Sequence, residues 1–146
     1  MSEPFDSPDY DAAHDEVMAV SLPPHSVEAE QSVLGGLLLE NSAYDRIADI
    51  LTEEDFYRQE HRYVFRAIAR LIELSRPADV VTVQEQLQQQ DELSAVGGLP
   101  YLISLAQNTP SAANIRRYAE IVRERSVRRQ LAKVGTEIAE MARNPQ

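Results

Sequence analysis

Residues 111–143 read SAANIRRYAEIVRERSVRRQLAKVGTEIAEMAR, a stretch without proline and with one glycine, which predicts a single long helix. Its apolar residues fall into two sets with helical spacing. The early set is Ile115, Tyr118 and Val122. The later set, called the apolar stripe below, consists of Val127, Leu131, Val134, Ile138 and Met141. The stripe steps by three and four residues, as the seam of a coiled coil or helical hairpin does, and nothing is left in this sequence to cover it. A partner chain or a further helix is therefore expected there.

The sequence before the long helix is divided into short helices by turn signals. Helices are predicted at residues 26–40, 42–51, 59–74 and 82–90, and from 100 to a stop at 108–110. Pro77 is predicted to end the third helix. Val80, Val81 and Val83 are β-branched, but no second strand could pair with them, so they are predicted to enter the fourth helix as core residues. The chain is therefore predicted to be all-α.

Candidate caps support these helices. Ser26 is the predicted N-cap of the first helix. Two capping boxes are predicted, formed by Ser42 with Asp45 and by Thr82 with Glu85. Gly35 and Gly36 lie inside the first helix, where each costs about 1 kcal/mol relative to alanine. Such a pair indicates close approach of a second helix rather than flexibility.

Charge divides the chain into three parts. Residues 1–22 carry six acids and no lysine or arginine, which predicts a disordered acidic tail. Residues 23–110 hold 14 acids against six arginines and form the predicted helical head. Residues 111–146 reverse the sign, with eight bases against four acids, and carry the long helix. The net charge of −10 is thus concentrated away from the long helix.

Several kinds of chemistry are excluded by composition. The chain has no cysteine, and its one lysine, Lys133, does not follow a glycine-rich loop, so neither thiolate chemistry nor a phosphate-binding loop is predicted. His14, His25 and His61 lack metal-ligand spacing, and His61 is predicted to lie on a helix surface or boundary. No catalytic residue, cofactor site or metal site is predicted. No apolar run approaches the ~20 residues that span a bilayer, and no secretory signal is present, so a cytoplasmic protein is expected.

The acidic cluster at residues 53–55 is a further candidate for catalysis. Acid–base chemistry needs buried carboxylates whose pKa values differ. We interpret this cluster instead as a solvated turn that delivers Phe56 and Tyr57 to the core.

A basic cluster on the long helix is the strongest indication of nucleic-acid binding. Its members are Arg116, Arg117, Arg123, Arg125, Arg128, Arg129 and Lys133. Three pairs at a spacing of four residues predict a self-paired, solvated face: Arg116–Glu120, Glu124–Arg128 and Lys133–Glu137. No aromatic residue lies among residues 123–133 to stack on bases. Direct DNA contact is therefore the weaker interpretation.

Tyr101 follows Gly97–Pro100, a short connection that could present an aromatic ring at a surface. Tyrosine is enriched at interface hot spots. The alternative is a core tyrosine of the fifth helix. Both interpretations stay open at this point.

Several motifs, in order, resemble the replicative DNA helicase family, the DnaB proteins. They are 23–36 (PPHSVEAEQSVLGG), 54–57 (EDFY), 77–82 (PADVVT), 96–102 (VGGLPYL), 108–115 (NTPSAANI) and 121–125 (IVRER). The resemblance covers about residues 22–144 and leaves out the acidic tail. Because separate motifs occur in the same order, the match is specific.

The resemblance implies the N-terminal domain of such a helicase, a compact helical head followed by a long helix that is half of a helical hairpin. It implies self-association through hairpins within a hexamer, and contacts with the primase C-terminal domain and the helicase loader. ATP, Mg²⁺ and DNA would bind only through the motor domain of the parent protein. By motif match, the primase-interface candidates are Glu28, Tyr101, Arg129 and Ile138. The self-association candidates are Leu131, Val134, Ile138 and Met141. Ala132 departs from the family, since relatives often have a larger aliphatic residue there.

The leading interpretation is an assembly and interaction module of a helicase that acts at replication forks on the nucleoid. Two other functions compete with this interpretation. One is a stand-alone helical regulator that binds nucleic acid through the basic cluster, which salt-dependent DNA binding would favour. The other is an enzyme with a carboxylate site, which a buried acidic cluster in a deep pocket would favour.

Overall fold

The computed structural model describes residues 22–145, so the predicted acidic tail lies outside the described residues except for Leu22. This range contains six α-helices, three 3-10 turns and no strand, which confirms the all-α prediction. The α-helices are α1 (Val27–Leu39), α2 (Tyr44–Ile47), α3 (Gln59–Glu73), α4 (Val80–Gln89), α5 (Gly98–Gln107) and α6 (Ile115–Arg143). The 3-10 turns are Asn41–Ala43, Glu53–Asp55 and Ser94–Val96.

Helix α1 is the centre of the head and packs against α3, α5 and α6. Ser26 caps it as predicted, because its hydroxyl oxygen accepts a hydrogen bond from the amide of Ala29 at 3.2 Å. A side chain at Gly35 would collide with Thr109 and with the carbonyl oxygen of Leu105. Glycine is therefore required for the approach of α1 to the end of α5, as predicted.

Apolar residues at helical spacing form one core around α1. Those with no exposed surface include Val33, Leu34, Leu37, Ile47, Phe56, Val64, Ile68, Val83, Leu87 and Leu102. Helix α6 joins this core through Ile115, Ala119 and Val122, all of which are buried. The early set of apolar residues on the long helix is thus the part that packs on the head.

The predicted capping box at Ser42 is wrong. Ser42 lies inside the 3-10 turn Asn41–Ala43, and α2 has no side-chain cap and ends at Ile47 rather than residue 51. The neighbouring Asn41 makes the important contacts instead. Its side-chain amide nitrogen donates to the carbonyl oxygens of Leu37 and Ala78, and its side-chain oxygen accepts from the amide of Ala78. Asn41 therefore ties the end of α1 to the loop before α4.

The capping box of α4 is shifted by three residues from the prediction. Asp79 is the N-cap, and its carboxylate accepts from the amide of Thr82 at 2.9 Å while the Thr82 hydroxyl accepts from the amide of Asp79. The helical assignment of the valines is confirmed, but Val81 is 68% exposed and is not a core residue. With Asp79 as the cap, Val83 and Leu87 face the core and Val81 faces away from it.

Two further helix boundaries differ from the predictions. Helix α3 ends at Glu73, four residues before Pro77, because Ser75 adopts a positive φ of 59°. The amide of Arg76 then bonds the carbonyl oxygen of Leu71, which closes the helix without help from proline. Helix α6 begins at Ile115 rather than at residue 111.

Candidate interaction surface

A buried polar network joins α1, α3 and α5 in the head. Glu30 is 1% exposed, and its carboxylate accepts from the amides of Tyr57 at 2.7 Å and Arg58 at 3.4 Å. Nδ1 of His61 lies 2.7 Å from the same carboxylate. His61 is fully buried, so its predicted place on a helix surface is wrong. A buried imidazole needs a polar partner, and the Glu30 carboxylate is that partner for His61.

Tyr101 extends this network to the surface. Its hydroxyl lies 2.6 Å from Nε2 of His61 and accepts from the side chain of Gln31 at 3.2 Å. Its ring stacks on His61 with centroids 5.9 Å apart, and the residue is half-buried. Tyr101 is therefore neither fully in the core nor freely exposed, since its hydroxyl end is anchored and the rest of the side chain is partly accessible, and its role in an interface stays a prediction.

The turn before α5 requires both of its glycines. Gly97 and Gly98 have φ angles of 100° and 71°, in the left-handed region that glycine adopts most readily. This turn starts α5 so that Tyr101 lies one turn into the helix.

Asp55 attaches the middle of α6 to the head. It is 2% exposed, and one of its oxygens accepts from Arg123 at 2.7 Å and from Ser126 at 2.8 Å. The other oxygen accepts from the amide of Thr52 at 2.8 Å. The interpretation of residues 53–55 as a solvated turn is wrong for Asp55, because its carboxylate is a buried structural acceptor.

Arg129 makes a second attachment between α6 and the head. Its guanidinium donates to the carbonyl oxygens of Pro24 and Asp55, both at 2.7 Å, and lies 5.4 Å from the centre of the Tyr57 ring. Tyr57 is half-buried and stacks on His25, so it is outside the core to which it was assigned. Burial lowers the pKa of Arg129, and the nearby Glu30 carboxylate opposes this shift.

The apolar stripe is exposed along its whole length. The exposed fractions are 45% for Val127, 71% for Leu131, 48% for Val134, 61% for Ile138 and 73% for Met141. Among the described residues, the last buried residue of α6 is Ser126. The early and later apolar sets of α6 therefore divide where the helix leaves the head, and a contiguous apolar patch of this kind is typical of an interaction site.

The primase-interface candidates do not form a single patch. Glu28 is exposed at the start of α1 and shares a groove with Gln31, the partner of Tyr101. Arg129 lies at the carbonyl oxygen of Pro24, before α1 begins. Ile138 follows Arg129 by nine residues, which at about 100° per residue places the two on opposite sides of α6. Glu28 is therefore related to Tyr101 only through Gln31, and Ile138 is separated from Arg129.

The basic cluster is only partly paired: within residues 22–145 no salt bridge joins Lys133 to Glu137, so that predicted pair is wrong. Arg128 lies 3.6 Å from Glu124, as expected. Arg116 pairs with Asp49 at 3.7 Å and donates to the carbonyl oxygen of Arg46, so it contacts the head rather than Glu120.

Residues 22–145 contain no cluster of three or more histidines, aspartates or glutamates suited to a metal ion. No helix in the same range is long and apolar enough to cross a membrane. Glu30 and Asp55 are buried, but each accepts hydrogen bonds that hold the fold together.

Comparison with known proteins identifies the family. The profile of the DnaB-like helicase N terminal domain matches residues 22–124. The chain belongs to this family. The replicative DNA helicase DnaB of Haemophilus influenzae is 44% identical over 126 residues, which are 86% of this chain and 27% of that helicase. This DnaB-family chain spans about a quarter of the length of the curated relatives that it matches.

Solved structures agree with the family match. The crystal structure of the N-terminal domain of DnaB helicase from Mycobacterium tuberculosis is 41% identical with a TM-score of 0.81, and the match covers 83% of this chain and 84% of that one. A structure of a DnaB-like replicative helicase and its interactions with primase is 25% identical with a TM-score of 0.67, covering 77% of this chain and 26% of that one. The predicted resemblance is confirmed. The stand-alone regulator receives no support from these matches.

The residues that sequence reasoning missed are the buried polar ones. Glu30 precedes Leu34 and Leu37 by four and seven residues, and His61 precedes Val64 and Phe65 by three and four. Both are therefore in phase with the core positions of their helices. This helical phase is the signal that could place both residues in the core, and the prediction of His61 at a helix surface or boundary does not use it.

Proposed function

We propose that this DnaB-family domain assembles a replicative DNA helicase and docks the C-terminal domain of primase. The observation that carries the proposal is the exposed apolar stripe. It lies on α6, beyond the part of this helix that packs on the head. In a member of this family, such a stripe is best explained by contact with another helical surface.

Self-association uses Leu131, Val134, Ile138 and Met141. A specific dimer usually buries about 1,200 Å² or more, and one helical face offers only part of this area. This chain therefore forms a concentration-dependent mixture of monomer and dimer, and the hexamer belongs to the parent helicase. ATP and Mg²⁺ bind in the motor domain of the parent, and DNA is contacted only through the parent.

Primase docks on the edge that carries Glu28 and Tyr101, with Arg129 and Ile138 contributing from α6. Tyr101 is suited to a hot spot, because hydrogen bonds from Gln31 and contact with His61 fix its ring before binding. Arg129 holds Pro24 and Asp55 in place, so it positions the neighbouring surface. Ile138 contacts primase from a second subunit, because it faces away from Arg129.

The helicase loader is the further partner of this domain. The parent acts in the cytoplasm, at replication forks on the nucleoid. The related helicase described with primase interactions supports a primase partner.

Sedimentation velocity on the 146-residue chain tests the assembly role. We expect wild type to shift from monomer towards dimer as its concentration rises to the millimolar range. Leu131→Glu with Ile138→Glu should abolish this shift, because two charges would be desolvated in the interface. Val81→Glu is the matched control, since Val81 is an equally exposed apolar residue on α4. A wild-type chain that stays monomeric at every concentration would exclude this role of the stripe.

A further inference from the structure

A basic groove runs between residues 22–25 and α6. It has a volume of about 760 Å³, and Leu22 and Pro23 form one wall. The other wall includes Arg125, Arg128 and Lys133. This groove lies on the side of α6 that carries Arg129, opposite Ile138, so it is separate from the apolar stripe.

Positive charge exceeds negative charge in this groove. Four cations line it, including Arg129, in a chain whose net charge is −10. One carboxylate, Glu124, is shared by Arg125 at 2.9 Å and Arg128 at 3.6 Å. Lys133 makes no salt bridge to any residue between 22 and 145. A groove of this kind suits an extended acidic segment.

We propose that the acidic N-terminal segment of this chain, residues 1–21, docks in this basic groove. The segment carries six acids and neither lysine nor arginine. It joins the described chain at Leu22, in the wall of the groove, so it enters the groove directly. Charge complementarity and chain continuity therefore select the same occupant.

The distances suit this docking. Asp15 and Glu16 precede Leu22 by seven and six residues, which can span at most about 20–25 Å. Arg125 and Lys133 are eight residues apart on α6, or about 12 Å. Because the acids belong to the same chain as the groove, a connection this short gives an effective concentration in the millimolar range, so even weak binding fills the groove.

Docking depends on salt, because exposed charges are screened beyond about 8 Å at physiological ionic strength. The docked segment covers the basic face of α6 and withholds it from other polyanions. This device is additional to the proposed assembly and primase docking.

Paramagnetic relaxation in the 146-residue chain tests the proposal. The chain has no cysteine, so Ala13→Cys accepts a single nitroxide label between Asp11 and Asp15. At 25 mM NaCl we expect the label to reduce the amide signals of residues 125–136 by half or more. Signals of α4, which packs on α3 and α5, should change little. The effect should disappear at 500 mM NaCl.

Substitutions separate the groove from non-specific contact. Arg128→Gln with Lys133→Gln should remove the relaxation effect, and Arg70→Gln on the exposed surface of α3 should leave it unchanged, with circular dichroism verifying the fold of each. Equal effects on α4 and on residues 125–136, or an effect that survives the double substitution, would overturn the proposal.

A second measurement uses single-stranded DNA as the competing polyanion. A 20-nucleotide oligo(dT) should bind several-fold more tightly once the six acids of residues 1–21 are replaced by their amides. This gain should vanish when Arg128→Gln and Lys133→Gln are also present. A gain of the same size in that background would mean that net charge alone is responsible, and equal binding by the wild-type and amide chains would mean that the groove is open to DNA. Either result overturns the proposal.

Discussion

Replacing Glu30 with alanine should destabilise the head more than any surface substitution. Glu30 is buried, and its carboxylate accepts from two backbone amides and from His61. Removing it leaves buried donors without a partner and leaves a cavity. Removing one partner of a buried, hydrogen-bonded pair of this kind lowers the free energy of unfolding by about 3–5 kcal/mol. For a domain of this size, 1 kcal/mol corresponds to roughly 3–5 °C in the midpoint of thermal unfolding, so we expect a decrease of about 10–20 °C.

Urea denaturation and differential scanning calorimetry of the 146-residue chain measure this effect. Glu28→Ala is the matched control, because Glu28 lies on the same helix and is exposed. We expect it to change the free energy of unfolding by less than about 0.5 kcal/mol. A double-mutant cycle with His61→Phe should give a coupling free energy of at least about 1 kcal/mol between the two side chains. A loss below 1 kcal/mol for Glu30→Ala would refute the argument that this network holds α1, α3 and α5 together.

Two further predictions concern Tyr101 and the glycines. Tyr101→Ala should weaken docking of the primase C-terminal domain to the assembled helicase by about 2 kcal/mol or more, measured by calorimetric titration, because hot spots concentrate binding energy. Tyr101→Phe should keep most of this affinity, and unchanged binding by a well-folded Tyr101→Ala would exclude this edge. Gly35→Ala should lower the midpoint of urea unfolding, since the methyl group would collide with Thr109 and Leu105. Gly135→Ala, with open space around it, should raise the free energy of unfolding by up to about 1 kcal/mol, and a similar loss in both variants would contradict the close-approach argument.

The helices and their packing faces could be predicted because they follow from spacing. In the early apolar set of α6, Ile115 and Val122 are buried and Tyr118 is half-buried, and Ser26 and Gly35 behave as their local patterns predict. The cap of α4 was misplaced because both Asp79 and Thr82 are good N-cap residues, and only the burial of Val83 decides between them. Local chemistry alone does not rank such alternatives.

The candidate surface could be predicted only in part. The stripe could be predicted, because apolar residues at helical spacing can be recognised from the sequence alone, as can the lack of another helix to cover them. The arrangement of Arg129 is not visible, because its acceptors are backbone carbonyl oxygens of residues 24 and 55, more than seventy positions away. Contacts to carbonyl oxygens carry no sequence signature, so the sequence predicts Arg129 only as a member of a solvated basic cluster.

The attachment of α6 at Asp55 and Arg129 makes the rest of this helix a lever. From Arg129 to Arg143 the helix extends about 21 Å beyond this fulcrum. A tilt of 5° at the fulcrum therefore moves the tip by about 2 Å, roughly half the width of a side-chain contact. The stiffness of two hydrogen-bonded clusters in the head thus sets how far the far end of α6 can swing, and with it the direction in which the apolar stripe faces.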